Sequence, residues 1–168
     1  MTYSIYDASI PPMIRMLENL SRILDKAVAQ AKERDIPLST LLEAQLAPDM
    51  LAFPRQIQIA TDAAKGVAAR LTGQEAPNFP DTEASFPELQ ERIAKTIAYL
   101  KSFTPAQFDG AEDRKTLLKT PTVSMEFSGR DFLNHVAIPN FFFHVTTAYA
   151  LLRHKGIEIG KLDYLGRA

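Results

Sequence analysis

The chain has 168 residues, a formal net charge of -1 and no cysteine, and its length corresponds to one domain over residues 1–168. The balanced charge provides no basic field for nucleic acid or an anionic membrane, and the lack of cysteine excludes disulfides and thiol nucleophiles. No apolar run is long enough to span a bilayer, and the N-terminus lacks the features of a signal peptide. We therefore expect a cytoplasmic protein that binds neither nucleic acid nor membrane.

The first predicted element is a long helix over residues 9–31. Its apolar residues recur at helical spacing, with charged residues largely on the opposite side. Ser9 is the expected N-cap, and Pro11 and Pro12 then lie in the first turn, where a missing amide hydrogen costs little. We expect residues 1–6 to form an extended arm before this helix.

A short helix and a second long helix follow. Residues 39–45 form the predicted short helix, with Ser39 as its cap. Residues 49–71 form the second long helix, because their apolar side chains keep the three-and-four spacing. Pro54 lies early enough in it to be tolerated, and Gly73 is expected to end it.

The third long helix is predicted over residues 86–103, after a loop rich in proline and acidic side chains. A short helical turn over residues 105–108 comes next. The segment 115–127 then favours two short strands, since β-branched and apolar residues replace the helical pattern. Residues 119–121 are expected to turn between them. An isolated hairpin is marginal in water, so it should pack on the helices.

The last long helix is predicted over residues 129–156 and is apolar on more than one side. Pro139 lacks an amide hydrogen and clashes with the preceding turn, which predicts a break near residues 136–137. Gly156 is expected to end the helix in a left-handed conformation. The tail 157–168 has no periodic pattern, and we expect its apolar residues to fold back on the helices. These residues are Ile159, Leu162 and Tyr164.

All three histidines belong to this last helix. A helix turns about 100° per residue, so His135 and His144 lie on nearly opposite faces, and His154 lies near the helix end. The three side chains therefore do not converge on one ion. Zinc or iron would need ligands from other helices, where the sequence offers neither histidine nor cysteine. We expect no transition-metal site.

Two pairs of polar residues at i, i+4 spacing are candidates for a site. Asn140 and His144 share one face of the last helix and must be hydrogen-bonded if they are buried. They line a pocket or, alternatively, His144 is a core histidine bonded to a neighbouring helix. The second long helix carries more polar residues than one solvated face requires. Gln58 and Asp62 are the pair that we expect to point inward.

Three segments carry a resemblance over nearly the whole chain: LAPDMLAFPRQIQIATDAAKG, GAEDR and HVAIPNFFFHVTTAYALLRHKGIEIG. They resemble a domain-of-unknown-function family of the DinB/YfiT-like superfamily. The resemblance implies an all-α fold, an up-down four-helix bundle with a small β-hairpin before the last helix. It also implies a homodimer that forms through helix faces.

The same superfamily often binds a divalent metal with three histidines, one from the second helix and two at i, i+4 spacing on the last. Some members are metal-dependent thiol-linked transferases or isomerases. Carried over to this chain, the last-helix pair falls near Asn140 and His144, and the second long helix contains no histidine. Asparagine is a poor ligand for zinc or nickel. We therefore expect neither a metal nor another cofactor.

Three functions remain open. The first is a small-molecule binding protein with a pocket between the second and fourth long helices. The expected pocket residues are Arg55, Gln58, Asn140, His144 and Tyr149, with the aromatic run 141–143. The second is a divergent enzyme that keeps a weakened metal or uses His144 as a general base, with Asp62 or Asp49 as its partner. The third is a structural or regulatory homodimer. The direction of His144 distinguishes them. A solvent-reachable cavity with a carboxylate favours the enzyme, a cavity without one favours binding, and packed side chains favour the structural or regulatory homodimer.

Overall fold

The computed structural model describes residues 4–119 and 124–166, and these residues are mostly helical. The α-helices are α1 (Ile5–Glu33), α2 (Leu38–Leu42), α3 (Phe53–Thr72), α4 (Phe86–Lys101), α5 (Gly129–Asp131), α6 (Ile138–His154) and α7 (Lys161–Leu165). A 3-10 helix, Pro105–Phe108, follows α4, and strands β1 (Lys115–Lys119) and β2 (Ser124–Ser128) precede α5. A π-helical segment, Phe132–Ala137, joins α5 to α6.

Helices α1, α3, α4 and α6 form a four-helix bundle. Helix α3 packs against α6 and α4, and α1 packs against α4 and α6. The core-facing positions of α3 are rich in alanine: Ala60, Ala64 and Ala68 have no exposed surface. Small side chains at a helix contact permit a close approach of the two backbones. Within residues 4–119 and 124–166, no helix combines the length and the apolar character that crossing a bilayer requires.

Helix α1 starts earlier than its prolines suggest. Ser4 caps it: the Ser4 hydroxyl accepts from the Asp7 amide at 3.1 Å, and the Asp7 carboxylate accepts from the Ser4 amide at 3.2 Å. This reciprocal capping box moves the start to Ile5. Ser9, the predicted cap, is buried inside the helix. The predicted extended arm is wrong for residues 5 and 6, and residues 1–3 lie outside the described part of the chain.

The next two predicted helices are present, and each is shorter than predicted. Helix α2 begins at Leu38 after Pro37, and no side chain caps it, so the predicted Ser39 cap is wrong. Helix α3 begins at Phe53 rather than at residue 49, which leaves Pro54 in the first turn, where it obstructs no preceding carbonyl. Gly73 ends α3 with a φ of 71°, as predicted.

The elements between α4 and the last helix match their predicted order. Helix α4 is capped by Ser85 and ends at Lys101, just before the predicted end. The hairpin is antiparallel, with Lys115 opposite Ser128 and Lys119 opposite Ser124. We predicted a turn at residues 119–121. Residue 119 ends β1, and residues 120 and 121 lie outside the described part of the chain.

The break predicted from Pro139 is present as the π-helical segment. The Ile138 amide donates to the Leu133 carbonyl, one residue further back than in an α-helix. Pro139 is the second residue of α6. Its missing amide hydrogen therefore falls in the first turn of this helix, where the backbone does not need it. Such one-turn π segments are recurrent inside long helices. Gly156 has a φ of 85° directly after the last turn of α6, as predicted.

The tail folds back on the bundle, with one difference from expectation. Helix α7 packs on α1, where Asn19 donates to the Tyr164 carbonyl at 2.8 Å and Lys26 pairs with Asp163. Ile159 is buried as predicted. Leu162 is largely exposed, so the predicted docking of its side chain is wrong, because α7 presents Tyr164 rather than Leu162 to the bundle.

A buried guanidinium fixes the connection between α3 and α4. The Arg92 side chain donates to Thr61 Oγ1 at 2.7 Å, Asp62 Oδ1 at 2.8 Å and Glu83 Oε1 at 3.0 Å, and Asp81 Oδ1 lies 3.0 Å from it. We call these five residues the Arg92 cluster. Two of its carboxylates belong to the connection itself, so the cluster ties that segment to both helices.

Hydrogen bonds keep the Glu83 carboxylate of the cluster ionised. Burial on its own raises the pKa of Glu83, but hydrogen bonds from Arg92 and Gln58 and the charge of Arg92 outweigh it, so the pKa lies below its usual value. Lys65 adds a second tie from α3. Its ammonium pairs with Asp62 at 2.8 Å, donates to the Pro77 carbonyl at 3.0 Å and lies 3.9 Å from the centre of the Phe79 ring.

We predict that Arg92→Met lowers the free energy of unfolding by about 2 kcal/mol, because it removes the cation from the Glu83 carboxylate, whose side chain is only 12% exposed. Lys95→Met is the matched control on the same helix. In the part of the chain that the structure describes, Lys95 pairs with the exposed Glu91 alone, and losing such a pair costs less than about 0.5 kcal/mol. Urea denaturation of the two variants and the wild type makes the comparison. Equal stabilities of the two variants would contradict the role of the cluster.

Candidate functional site

Three of the predicted site residues lie in or beside the Arg92 cluster. Gln58 is buried and donates to Glu83 at 2.9 Å, while Arg55 donates to Gln58 at 2.7 Å and pairs with Asp81. The inward direction of Gln58 is confirmed. The Asp62 side chain is 45% exposed and faces Arg92 instead of the interior. These groups face α4 and the α3–α4 connection, away from α6.

The remaining predicted residues are also separated from one another. The Asn140 side chain is exposed, so it does not form the expected pair with His144. Tyr149 is half-buried against the tail, where its hydroxyl donates to the Ile159 carbonyl at 3.4 Å and its ring contacts Tyr164 edge-on. The structure thus divides the expected pocket between different faces of the bundle, and His144 is the member that lies where α3 meets α6.

His144 has a partner on α3 that the sequence reading did not select. Its Nδ1 atom lies 2.7 Å from Oε1 of Gln56. The Gln56 amide nitrogen donates to the Leu51 carbonyl, also at 2.7 Å. Both side chains are buried, with 2% of Gln56 and 9% of His144 exposed. Burial lowers the pKa of His144, so the ring is neutral at pH 7.

Helical spacing contains the signal that identifies Gln56. It follows Phe53 by three residues and precedes Ala60 by four, and both of those side chains are fully buried. Gln56 therefore belongs to the core-facing stripe of α3. Gln58 is also buried, but on the side of α3 that faces α4. We expected polar side chains of this helix to point inward, and Gln58 does. The sequence analysis did not select Gln56, which bonds to His144.

An open groove lies beside His144 on the surface of α6. Its volume is about 460 Å³. The residues that line it are Leu46, Phe142, Phe143, Thr146, Thr147 and Ala150. We call it the α6 groove. The Phe143 ring is 55% exposed and meets the imidazole of His144 edge-on, with 5.1 Å between the ring centres. The wall of the groove is therefore mostly apolar. His144 does not line it, but its ring contacts the lining residue Phe143.

The residues around His144 do not fit the three-histidine metal site that the superfamily implies. The group that faces His144 from α3 is the amide of Gln56, and its nitrogen is already committed to Leu51. Asn140 is exposed. Among the described residues, no three histidine, cysteine, aspartate or glutamate side chains are grouped to hold a metal ion. One imidazole with a neutral amide is a weak ligand set for a transition metal.

The bundle belongs to the DinB-like class. A crystal structure described as a DinB family member protein from Shewanella denitrificans matches it with a TM-score of 0.90 and 42% sequence identity, over 96% of this chain and 92% of that chain. The chain is a member of the DUF1993 family, a domain of unknown function, whose model matches residues 5–165. Comparison with curated proteins gave no match. The expected family type and the all-α DinB-like fold with its small hairpin are confirmed.

We predict that His144 titrates below its ordinary pKa of 6.5, because burial disfavours the charged ring. The unfolded chain then takes up this proton first as the pH falls below 6.5. Stability is consequently unaffected by His144 above that pH and decreases as the pH falls towards the lower, folded pKa. An NMR pH titration of the imidazole measures the value. A midpoint at or above 6.5 would contradict the burial of His144.

Proposed function

We propose that the chain binds a small molecule with an apolar body in the α6 groove, with the imidazole of His144 as its polar contact. The observation that carries the proposal is the His144–Gln56 hydrogen bond, together with the contact between the His144 ring and Phe143, which lines the groove. Small-molecule sites are concave and mostly apolar, with few fixed polar groups. Here Phe142 and Phe143 supply the apolar wall, and Gln56 fixes the one ring that meets the ligand.

The partner of His144 favours binding over catalysis. A histidine base is most effective when a carboxylate orients it and stabilises the imidazolium that forms. Of the two expected carboxylates, Asp62 is paired with Arg92 and Lys65 instead, and Asp49 is exposed. A neutral amide orients the ring without stabilising its charged form. The geometry therefore supports the divergent enzyme, whether metal-dependent or metal-free, less well than a binding protein.

A homodimer is the second candidate function, and a specific observation favours it. Several large apolar side chains are exposed on the segment before α3 and on α6: Leu38, Leu46, Leu51 and Phe143. Leu46 and Phe143 line the same groove, and contiguous exposed apolar surface often marks an interaction site. A second copy of the chain would cover the same groove that we assign to a ligand. The cytoplasmic location and the lack of a resident cofactor remain part of the proposal.

A titration of ¹⁵N-labelled protein with indole, benzyl alcohol and cyclohexanol tests the ligand proposal. We predict that the backbone amide signals whose chemical shifts change on binding belong to Leu46 and residues 142–150. Phe143→Ala should weaken binding about fivefold, because about 1 kcal/mol of apolar contact is lost. Leu117→Ala is the matched control, since Leu117 is a similarly exposed apolar side chain on β1.

Two outcomes would count against the groove. One is a set of shifts that maps to the Arg92 cluster or to no single surface. The other is an equal effect of the Phe143→Ala and Leu117→Ala substitutions. Sedimentation velocity over a range of protein concentrations tests whether the chain forms a homodimer. A dimer that dissociates in Phe143→Ala, together with no binding of the three probes, would favour the second candidate.

A further inference from the structure

We infer that Gln56 fixes the tautomer of His144, so that the ring offers a hydrogen-bond acceptor at Nε2 and the α6 groove selects ligands that donate a hydrogen bond. The first half concerns the protein alone. The second half rests on the proposed function, because it names the class of molecule that the groove takes.

The orientation of the Gln56 amide follows from the atom it contacts at Leu51. A backbone carbonyl oxygen only accepts hydrogen bonds. The group that lies 2.7 Å from the Leu51 carbonyl is therefore the NH₂ end of the Gln56 side chain. The amide oxygen, Oε1, is consequently turned to the other side, towards α6.

The tautomer of His144 follows from that orientation. An amide oxygen also only accepts, so the hydrogen between Oε1 and Nδ1, which are 2.7 Å apart, must reside on Nδ1. Burial keeps the ring neutral, and a neutral imidazole has one hydrogen. Nε2 is therefore an unprotonated acceptor. Two consecutive hydrogen bonds, from the Leu51 carbonyl to Gln56 and from Gln56 to the ring, thus determine the position of this hydrogen.

The acceptor at Nε2 is accessible. Among the described residues, the buried polar side-chain atoms that lack a hydrogen bond are the Tyr99 hydroxyl and Arg114 Nε. Within residues 4–119 and 124–166, Nε2 of His144 has no hydrogen-bond partner and is not one of these buried atoms, so it retains some exposed surface. The ring contacts Phe143, which lines the α6 groove. A ligand in the neighbouring groove that presents a hydroxyl or an N–H group satisfies it. A ligand that offers only acceptors leaves two lone pairs facing each other.

The tautomer is measured without any ligand, by ¹⁵N NMR of the His144 ring at pH 7.5. We expect Nδ1–H and a bare Nε2 in the wild type. Gln56→Met keeps the volume and removes the acceptor, so the Nε2–H form should become populated. Gln56→Glu keeps an acceptor and adds a negative charge, so it should retain Nδ1–H and raise the pKa of the ring.

Gln58→Met is the matched control. Gln58 is a glutamine of the same helix with the same 2% exposure, and its side chain bonds to Arg55 and Glu83 rather than to His144. The wild-type tautomer should persist in it. Nε2–H in the wild type would overturn the inference, and so would an equal change of tautomer in Gln56→Met and Gln58→Met.

Phenol and anisole test the ligand class, because they have similar apolar bodies and only phenol donates a hydrogen bond. We expect the wild type to bind phenol about tenfold more tightly than anisole, and Gln56→Met to lose that preference. Equal binding of both probes to the wild type would overturn the ligand class while the tautomer result stands. Binding of neither probe at the groove would overturn the proposed function as well, again independently of the tautomer measurement.

Discussion

The contact of α3 with α6 is the constraint on which the site depends. Alanines on the core-facing side of α3 permit this contact, and polar groups caught inside it must find partners there, because an unpaired buried group costs about 1–3 kcal/mol. Gln56 and His144 satisfy each other across the interface. The His144 ring also contacts Phe143, which lines the α6 groove, so a requirement of the fold holds the ring that our proposal assigns to the ligand.

The charged and the neutral buried polar groups of the bundle lie at two different helix contacts. The Arg92 cluster consists of ion pairs between α3, α4 and their connection, and it engages the carboxylate that a catalytic histidine would need. The α3–α6 interface contains a neutral amide and a neutral imidazole. In residues 4–119 and 124–166 this separation leaves no group of metal-binding side chains within the DinB-like fold. A fold can persist while its chemistry depends on the residues that line the site.

Much of the fold was predictable because local signals determine it. Helical periodicity identified the long helices, and Gly73, Gly156 and Pro139 marked two ends and one irregular turn through their backbone preferences. The start of α1 was missed because Pro11 and Pro12 suggested a first turn, whereas the capping box of Ser4 and Asp7 lies before them. The site was less predictable, since the difference between Gln56 and Gln58 depends on which neighbouring helix each one faces. The burial of Arg92 depends on carboxylates contributed by a connection without periodicity, so no pattern within α4 reveals it.

We propose that a single histidine, held by an amide, takes the place of the metal site that the resemblance to the DinB/YfiT-like superfamily implies. Elemental mass spectrometry of protein purified without a histidine tag tests it most directly, together with the His144→Ala variant. We predict no stoichiometric transition metal in either protein. A near-stoichiometric metal in the wild type that is lost in His144→Ala would contradict the claim and would show that His144 belongs to a metal centre.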